Sequence, residues 1–223
     1  MGLVLLVLAV ALAAGALPSG GFWWDFLAAL GYCALTLIAF MGWDSESPVR
    51  TPRLRMHRNL AILAAVIATA HALGYLAIDP TVLEYLMPSA PNYMLLGVLA
   101  WLLLIATTYS SLPAPRKRAY SDFGAFRSWH RALYLLLLGA TAWHVFATEF
   151  SLTSIWQVAA LLSLLIGAPL AAYMARRAGK AAPVTDAPAA DRDADLHPVL
   201  CGVAMLMLSA SFAGLKAAAC ATC

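Results

Sequence analysis

Apolar residues run along the chain in seven stretches, roughly 3–17, 22–42, 56–78, 92–111, 128–148, 153–175 and 198–219, separated by Pro, Gly or charge. All but the first approach the ~20 residues that a helix needs to cross a bilayer core. In lipid such a segment must satisfy its own backbone hydrogen bonds, which a helix does by itself. The pattern therefore predicts an all-α integral membrane bundle of six to seven transmembrane helices. The first run is short and ends in Pro18-Ser19-Gly20-Gly21, which also suits a signal-peptide core. The basic segment that normally precedes such a core is missing, so a retained helix is expected.

Composition points the same way. Of 223 residues, 63% are apolar and 11% charged, too greasy a balance for a soluble domain of this length, and few residues remain for an aqueous catalytic domain. The net charge of +3 carries little information, because the basic residues sit in short clusters between apolar runs, where they report topology rather than nucleic-acid binding. Arg50, Arg53 and Arg55, then Arg116, Lys117 and Arg118, then Arg176, Arg177 and Lys180 occupy alternate connections. The connections between them contain Asp79, Glu84 and Glu149 and neither Lys nor Arg. The positive-inside rule then puts the basic side and the N-terminus in the cytoplasm of a multi-pass protein, with a bacterial inner membrane as the expected home.

The expected organisation is a bundle over residues 1–177 with its core at 22–175, a flexible cytoplasmic linker rich in Ala, Pro and Asp at 178–196, and a C-terminal apolar helix at 197–223. Lys216 near the end of that helix could snorkel to the far interface and leave Cys220 and Cys223 outside; alternatively the helix lies along the surface with both cysteines inside. Cys33 lies within an apolar run and reads as a small inert side chain. Cys220-Ala-Thr-Cys223 has a redox or metal spacing but supplies half a zinc site, with a disulfide or plain thiols as the simpler reading. His197 reads as an interfacial residue.

The other four histidines form a pattern. His57 and His71 lie in the third run, His130 and His144 in the fifth, with thirteen residues between the members of each pair. Fourteen helical steps turn through about 1400°, about 40° short of four turns, so both histidines of a pair share one face about 21 Å apart. The third and fifth helices run in the same direction, which sets His57 level with His130 and His71 level with His144. Four imidazoles buried in lipid without partners would be costly. Haem iron takes two axial imidazoles, so the layout fits two b-type haems between the third and fifth helices, suited to one-electron transfer. A bare metal ion fits less well, since each level offers two nitrogens and no evident carboxylate or thiolate.

His57-Arg58 and His130-Arg131, with Arg127 one turn earlier, place guanidinium groups beside one level only. They suit haem propionates, through the planar fork that pairs with carboxylates, and they equally suit positive-inside anchoring. Trp129 and Trp143 each precede a histidine, but sequence neighbours diverge by about 100° on a helix, so interface anchoring is the better reading. Gly139 and Gly74 suit either close approach of a porphyrin or ordinary helix crossings. Tyr120, Asp122 and Arg127 could shape a docking surface.

The paired histidines and the His-Arg start of both helices resemble the ferric reductase-like transmembrane domain family, whose relatives include the haem-binding membrane subunit of the bacterial methionine sulfoxide reductase system, ferric reductases and NADPH oxidases. The resemblance covers roughly residues 22–175 and rests on His57, Arg58, His71, His130, Arg131 and His144. It implies that the four histidines ligate two b haems relaying electrons between a flavin (FMN) or quinol at the membrane edge and an acceptor on the other side. Ferric reductases and NADPH oxidases add a flavin and nicotinamide module, whereas here a linker and one apolar run follow the sixth span, with no Gly-x-Gly-x-x-Gly loop. The resemblance thus implies an oxidoreductase subunit, in contact with lipid, that takes both donor and acceptor chemistry from redox partner proteins. Two other classes compete: a haem-handling or transport protein with exchangeable cargo, and an accessory subunit of a respiratory or photosynthetic complex that meets other membrane subunits through its last helix.

Overall fold

The computed structural model describes residues 20–44, 51–120, 122–148, 154–177 and 193–221. The expected first helix at 3–17, most of the linker, and Cys223 fall outside these residues. Among the described residues every regular element is helical: α1 (Phe22–Asp44), α2 (Thr51–Ile78), a 3-10 segment (Pro80–Leu86), α3 (Asn92–Ser111), the short α4 (Pro113–Ala119), α5 (Phe123–Ala147), α6 (Ile155–Arg177) and α7 (Asp193–Ala221). The third and fifth runs of the sequence are thus α2 and α5.

The boundaries follow local chemistry. Gly21 enters α1 at φ +99°, a left-handed conformation that glycine adopts without strain. Asp79 caps the 3-10 segment, its Oδ1 accepting from the Thr81 amide at 2.9 Å, with Pro80 at the first position. Pro113 opens α4, where its missing N–H costs nothing. Asp122 caps α5 by accepting from the Ala125 amide at 2.8 Å. Asp122→Ala should therefore fray the first turn of α5 and cost about 1 kcal/mol, read as a lower thermal unfolding midpoint in detergent.

Phe22–Gly42, Leu54–Ile78, Asn92–Ser111 and Pro198–Ala218 are long and apolar enough to cross a membrane. α5 falls short of that measure because two histidines and Arg131 interrupt its apolar run, although it packs lengthwise along α3. Exposed Leu102 on α3, Leu135 and Leu136 on α5, and Val203 and Met207 on α7 give the bundle the apolar exterior of a multi-pass membrane protein.

α1 is the central helix. It packs most extensively on α2 and α7 and also meets α6 and α5. Small residues let its neighbours approach: Ala29, Cys33 and Ala39 are fully buried, and Cys33 Sγ lies 3.6 Å from Ser209 Oγ of α7. Buried hydroxyls turn back on their own helices, Thr36 to the Tyr32 carbonyl and Thr107 to the Leu103 carbonyl, which leaves none of these donors stranded in an apolar interior. α2 and α5, the histidine helices, lack such extended packing on one another; α1 and α3 lie against them.

The C-terminal segment differs from the sequence reading in two ways. α7 is helical from Asp193, inside the stretch read as linker. Lys216 does not snorkel outward: its Nζ donates to Asp25 Oδ1 of α1 at 2.8 Å, and only 8% of the lysine side chain and none of the aspartate is exposed. Asp25 gives the ammonium inside the bundle the partner that snorkelling would have found in water.

Candidate functional site

At the N-terminal ends of α2 and α5 the rings of His57 and His130 stand 6.3 Å apart between centroids, inclined at 60°. Buried Phe126, one turn before His130, packs against it with ring centroids 5.2 Å apart and planes tilted by 34°. His130 Nδ1 is buried and has no hydrogen-bond partner. Two imidazoles bound on opposite sides of one metal ion, each with a metal–nitrogen bond of about 2.0–2.1 Å, also stand about 6 Å apart between ring centres.

His71 and His144 lie at the C-terminal ends of the same helices and line one cavity of about 610 Å³. That volume falls within the roughly 300–1,000 Å³ of cofactor and ligand sites. The wall includes Trp24, Gly31 and Tyr32 of α1, Tyr75 of α2, Gly97 and Trp101 of α3, and Val82, Tyr85 and Leu86 of the 3-10 segment. His71 Nδ1 is 2.7 Å from the Leu27 carbonyl and His144 Nδ1 is 2.9 Å from the Tyr93 carbonyl. A carbonyl oxygen accepts and never donates, so Nδ1 carries the proton on both rings. Nε2 keeps its lone pair on each, the tautomer that a metal-ligating histidine held by a backbone carbonyl adopts.

Two glycines that the sequence reading passed over seat these rings. A Cβ on Gly31 would lie 2.8 Å from His71 Cε1, and one on Gly97 would lie 2.6 Å from His144 Nδ1. Both glycines sit on helices other than the histidine's own, so adjacency in sequence gave no signal for them. The glycines singled out from sequence behave differently: a Cβ on Gly74 would strike the Leu27 side chain, a helix-crossing contact, and Gly139 faces open space. Tyr75 completes the far end, its hydroxyl donating to the Trp24 carbonyl at 3.1 Å and its ring edge-on to His71 at 5.2 Å.

Of the arginines, Arg58 is half-buried, while Arg131 and Arg127 are exposed. The Arg127 guanidinium lies 5.6 Å from the Phe123 ring centre, and Arg116 lies 5.6 Å from both Phe123 and Phe126. A basic, aromatic surface therefore surrounds the His57/His130 end. Trp129 and Trp143 are 61% and 50% exposed. The side chains of His197 and Cys220 lie outside the described residues. Among the described residues no group of three or more His, Cys, Asp or Glu side chains gathers as a metal-ion site.

A helical membrane bundle with two level histidine pairs, one of them opening on a cofactor-sized cavity, has the form of a membrane redox protein. Residues 1–141 match the family described as ferric reductase like transmembrane component, and the chain belongs to that family. The match takes in His57, His71 and His130; His144, α6 and α7 follow it. No curated protein and no solved structure matches the chain.

Proposed function

We propose that the chain passes electrons across the membrane through two bis-histidine b-type haems, one held by His57 and His130 and the other by His71 and His144. The observation that carries this reading is the far-end cavity, where two imidazoles on separate helices, each tied through Nδ1 to a backbone carbonyl, keep Nε2 for a ligand. Haem held by these histidine pairs would supply one-electron chemistry. The protein's own part is to hold the rings, exclude water with Tyr32, Tyr75 and Trp101, and tune basicity through the Leu27 and Tyr93 carbonyls. Arg58, Arg131 and Arg127 stand at the other end, where they would meet propionates or anchor the basic face.

The same reading takes α5 and α6 as spanning helices, giving six or seven in all, with the basic loops and the N-terminus on the cytoplasmic side of a bacterial inner membrane. Partner proteins, with flavin or quinone at the membrane edge, supply and remove electrons.

The test is a pyridine haemochrome assay with a reduced-minus-oxidised spectrum on the purified chain, His71→Ala and His130→Ala. Two low-spin b haems in the parent and about one in each variant are expected, since each site needs both of its imidazoles. A parent chain made with ample haem and found free of it would overturn the proposal and favour a haem-handling or transport role.

A further inference from the structure

α7 lies beyond the residues that match the family, yet it is built into the bundle. Its inner face buries Met205, Ser209, Phe212, Ala213 and Lys216, and it packs along α1 and α2. Lys216 reaches Asp25 in the opening turn of α1. The residues on either side of Asp25 hold the far-end site: the Trp24 carbonyl accepts from Tyr75, and the Leu27 carbonyl accepts from His71 Nδ1. The ion pair thus grips residues 24–27, the same stretch of α1 that orients His71.

Stability alone is a poor account of such a pair. Taking two charges out of water is expensive, and apolar packing of similar volume often serves as well or better. What a buried pair adds is register, because Lys216 meets Asp25 at one position of α7 along α1 and at no other. A buried intramembrane charge with a defined partner is also a default pointer to function.

We infer that Lys216, acting through Asp25, is a positioning residue for the His71/His144 site, which makes α7 a working part of that site. The inference rests on the function proposed above. It predicts that the two histidine levels respond differently to loss of the pair, since Asp25 sits among the α1 residues that hold His71 and Tyr75, whereas His57 and His130 meet at the opposite ends of α2 and α5.

The variant to use is Asp25→Asn/Lys216→Met, because either single change leaves a buried charge without its partner. Docking of α7 is followed by Ser209→Cys in a chain carrying Cys201→Ser, Cys220→Ser and Cys223→Ser, where the 3.6 Å approach to Cys33 allows an oxidative cross-link. Midpoint potentials and electron paramagnetic resonance of the two haems are then compared with the parent, the far-end signal being assigned by His71→Ala. The expected result is a shifted far-end potential and spectrum with the other level unchanged, whether α7 stays docked in altered register or comes away. An unchanged far-end signal overturns the inference, in either state of α7, as does an equal shift at both levels. A parent chain without haem sinks the proposed function, and the positioning of His71 by the ion pair is then tested separately. His71 modification by diethyl pyrocarbonate, mapped by mass spectrometry, then decides: a several-fold faster reaction in the double variant supports it, and an equal rate overturns it.

Discussion

Gly97→Ala and Gly139→Ala, one chemical change in two helices that pack side by side, are expected to move stability in opposite directions. In a helix alanine is favoured over glycine by about 1 kcal/mol. At Gly139 nothing lies within 4 Å of the added methyl, so the propensity gain stands alone and the unfolding midpoint should rise slightly. At Gly97 the methyl would lie 2.6 Å from His144 Nδ1 and 2.8 Å from Cε1, closer than any relaxed contact. The obstacle is a ring held by the Tyr93 carbonyl, not the loose end of a flexible chain. Moving it breaks that hydrogen bond, worth about 1 kcal/mol, and overpacking of this kind costs about 1–3 kcal/mol. Gly97→Ala should therefore lose about 1–3 kcal/mol net of the propensity gain and misdirect His144 Nε2. Thermal unfolding in one detergent reads the first effect, and haem content at the far end reads the second. If Gly97→Ala were as stable as Gly139→Ala, the ring would not be seated as described.

Gly31 and His71 repeat the arrangement on the other side of the cavity. The two glycines lie on α1 and α3, and the rings they seat come from α2 and α5. The histidine helices are thus spaced by the helices that flank them, and room for a planar group follows from small residues on the flanking pair. Larger side chains at Gly31 and Gly97 are expected to close the far-end cavity from both sides without touching the His57/His130 pair.

The helices themselves were legible because lipid leaves few alternatives: a run of about 20 apolar residues has to satisfy its own backbone. The level pairing of the histidines follows from helix geometry as well, since a fourteen-residue step returns to nearly the same face and α2 and α5 run in parallel. What composition and spacing could not supply was contact between distant segments. Gly74 and Gly139 drew notice because they are near histidines in sequence, while the glycines that touch the rings are 40 or more positions away. The partner of Lys216 stands 191 residues upstream. A lysine near the end of an apolar helix reads as an interfacial residue until the helix beside it is known. The apolar stretch that carries Asp25 offered one hint, an acid among aromatic residues at the start of a span, which is costly unless something answers it.

That cost sets the largest single effect expected in this chain. Lys216→Met leaves the Asp25 carboxylate fully buried and without the ammonium 2.8 Å away. Removing one partner of a buried ion pair destabilises by about 3–5 kcal/mol, a large part of the total stability of most domains. Lys216→Met should accordingly accumulate poorly and unfold at lower temperature in detergent, and Asp25→Ala should do the same by removing the carboxylate 2.8 Å from the buried ammonium. Asp25→Asn/Lys216→Met removes both charges and should recover stability to within about 1 kcal/mol of the parent, because neutral replacements of a buried pair are often harmless. The deciding quantity is the coupling energy in the double-mutant cycle, which isolates the pair from the effect of each residue alone. A coupling near zero would mean that Asp25 and Lys216 are satisfied separately. A coupling of several kcal/mol would establish that the last helix is held to the first described one by charge, with its register along α1 fixed at the residues that orient His71.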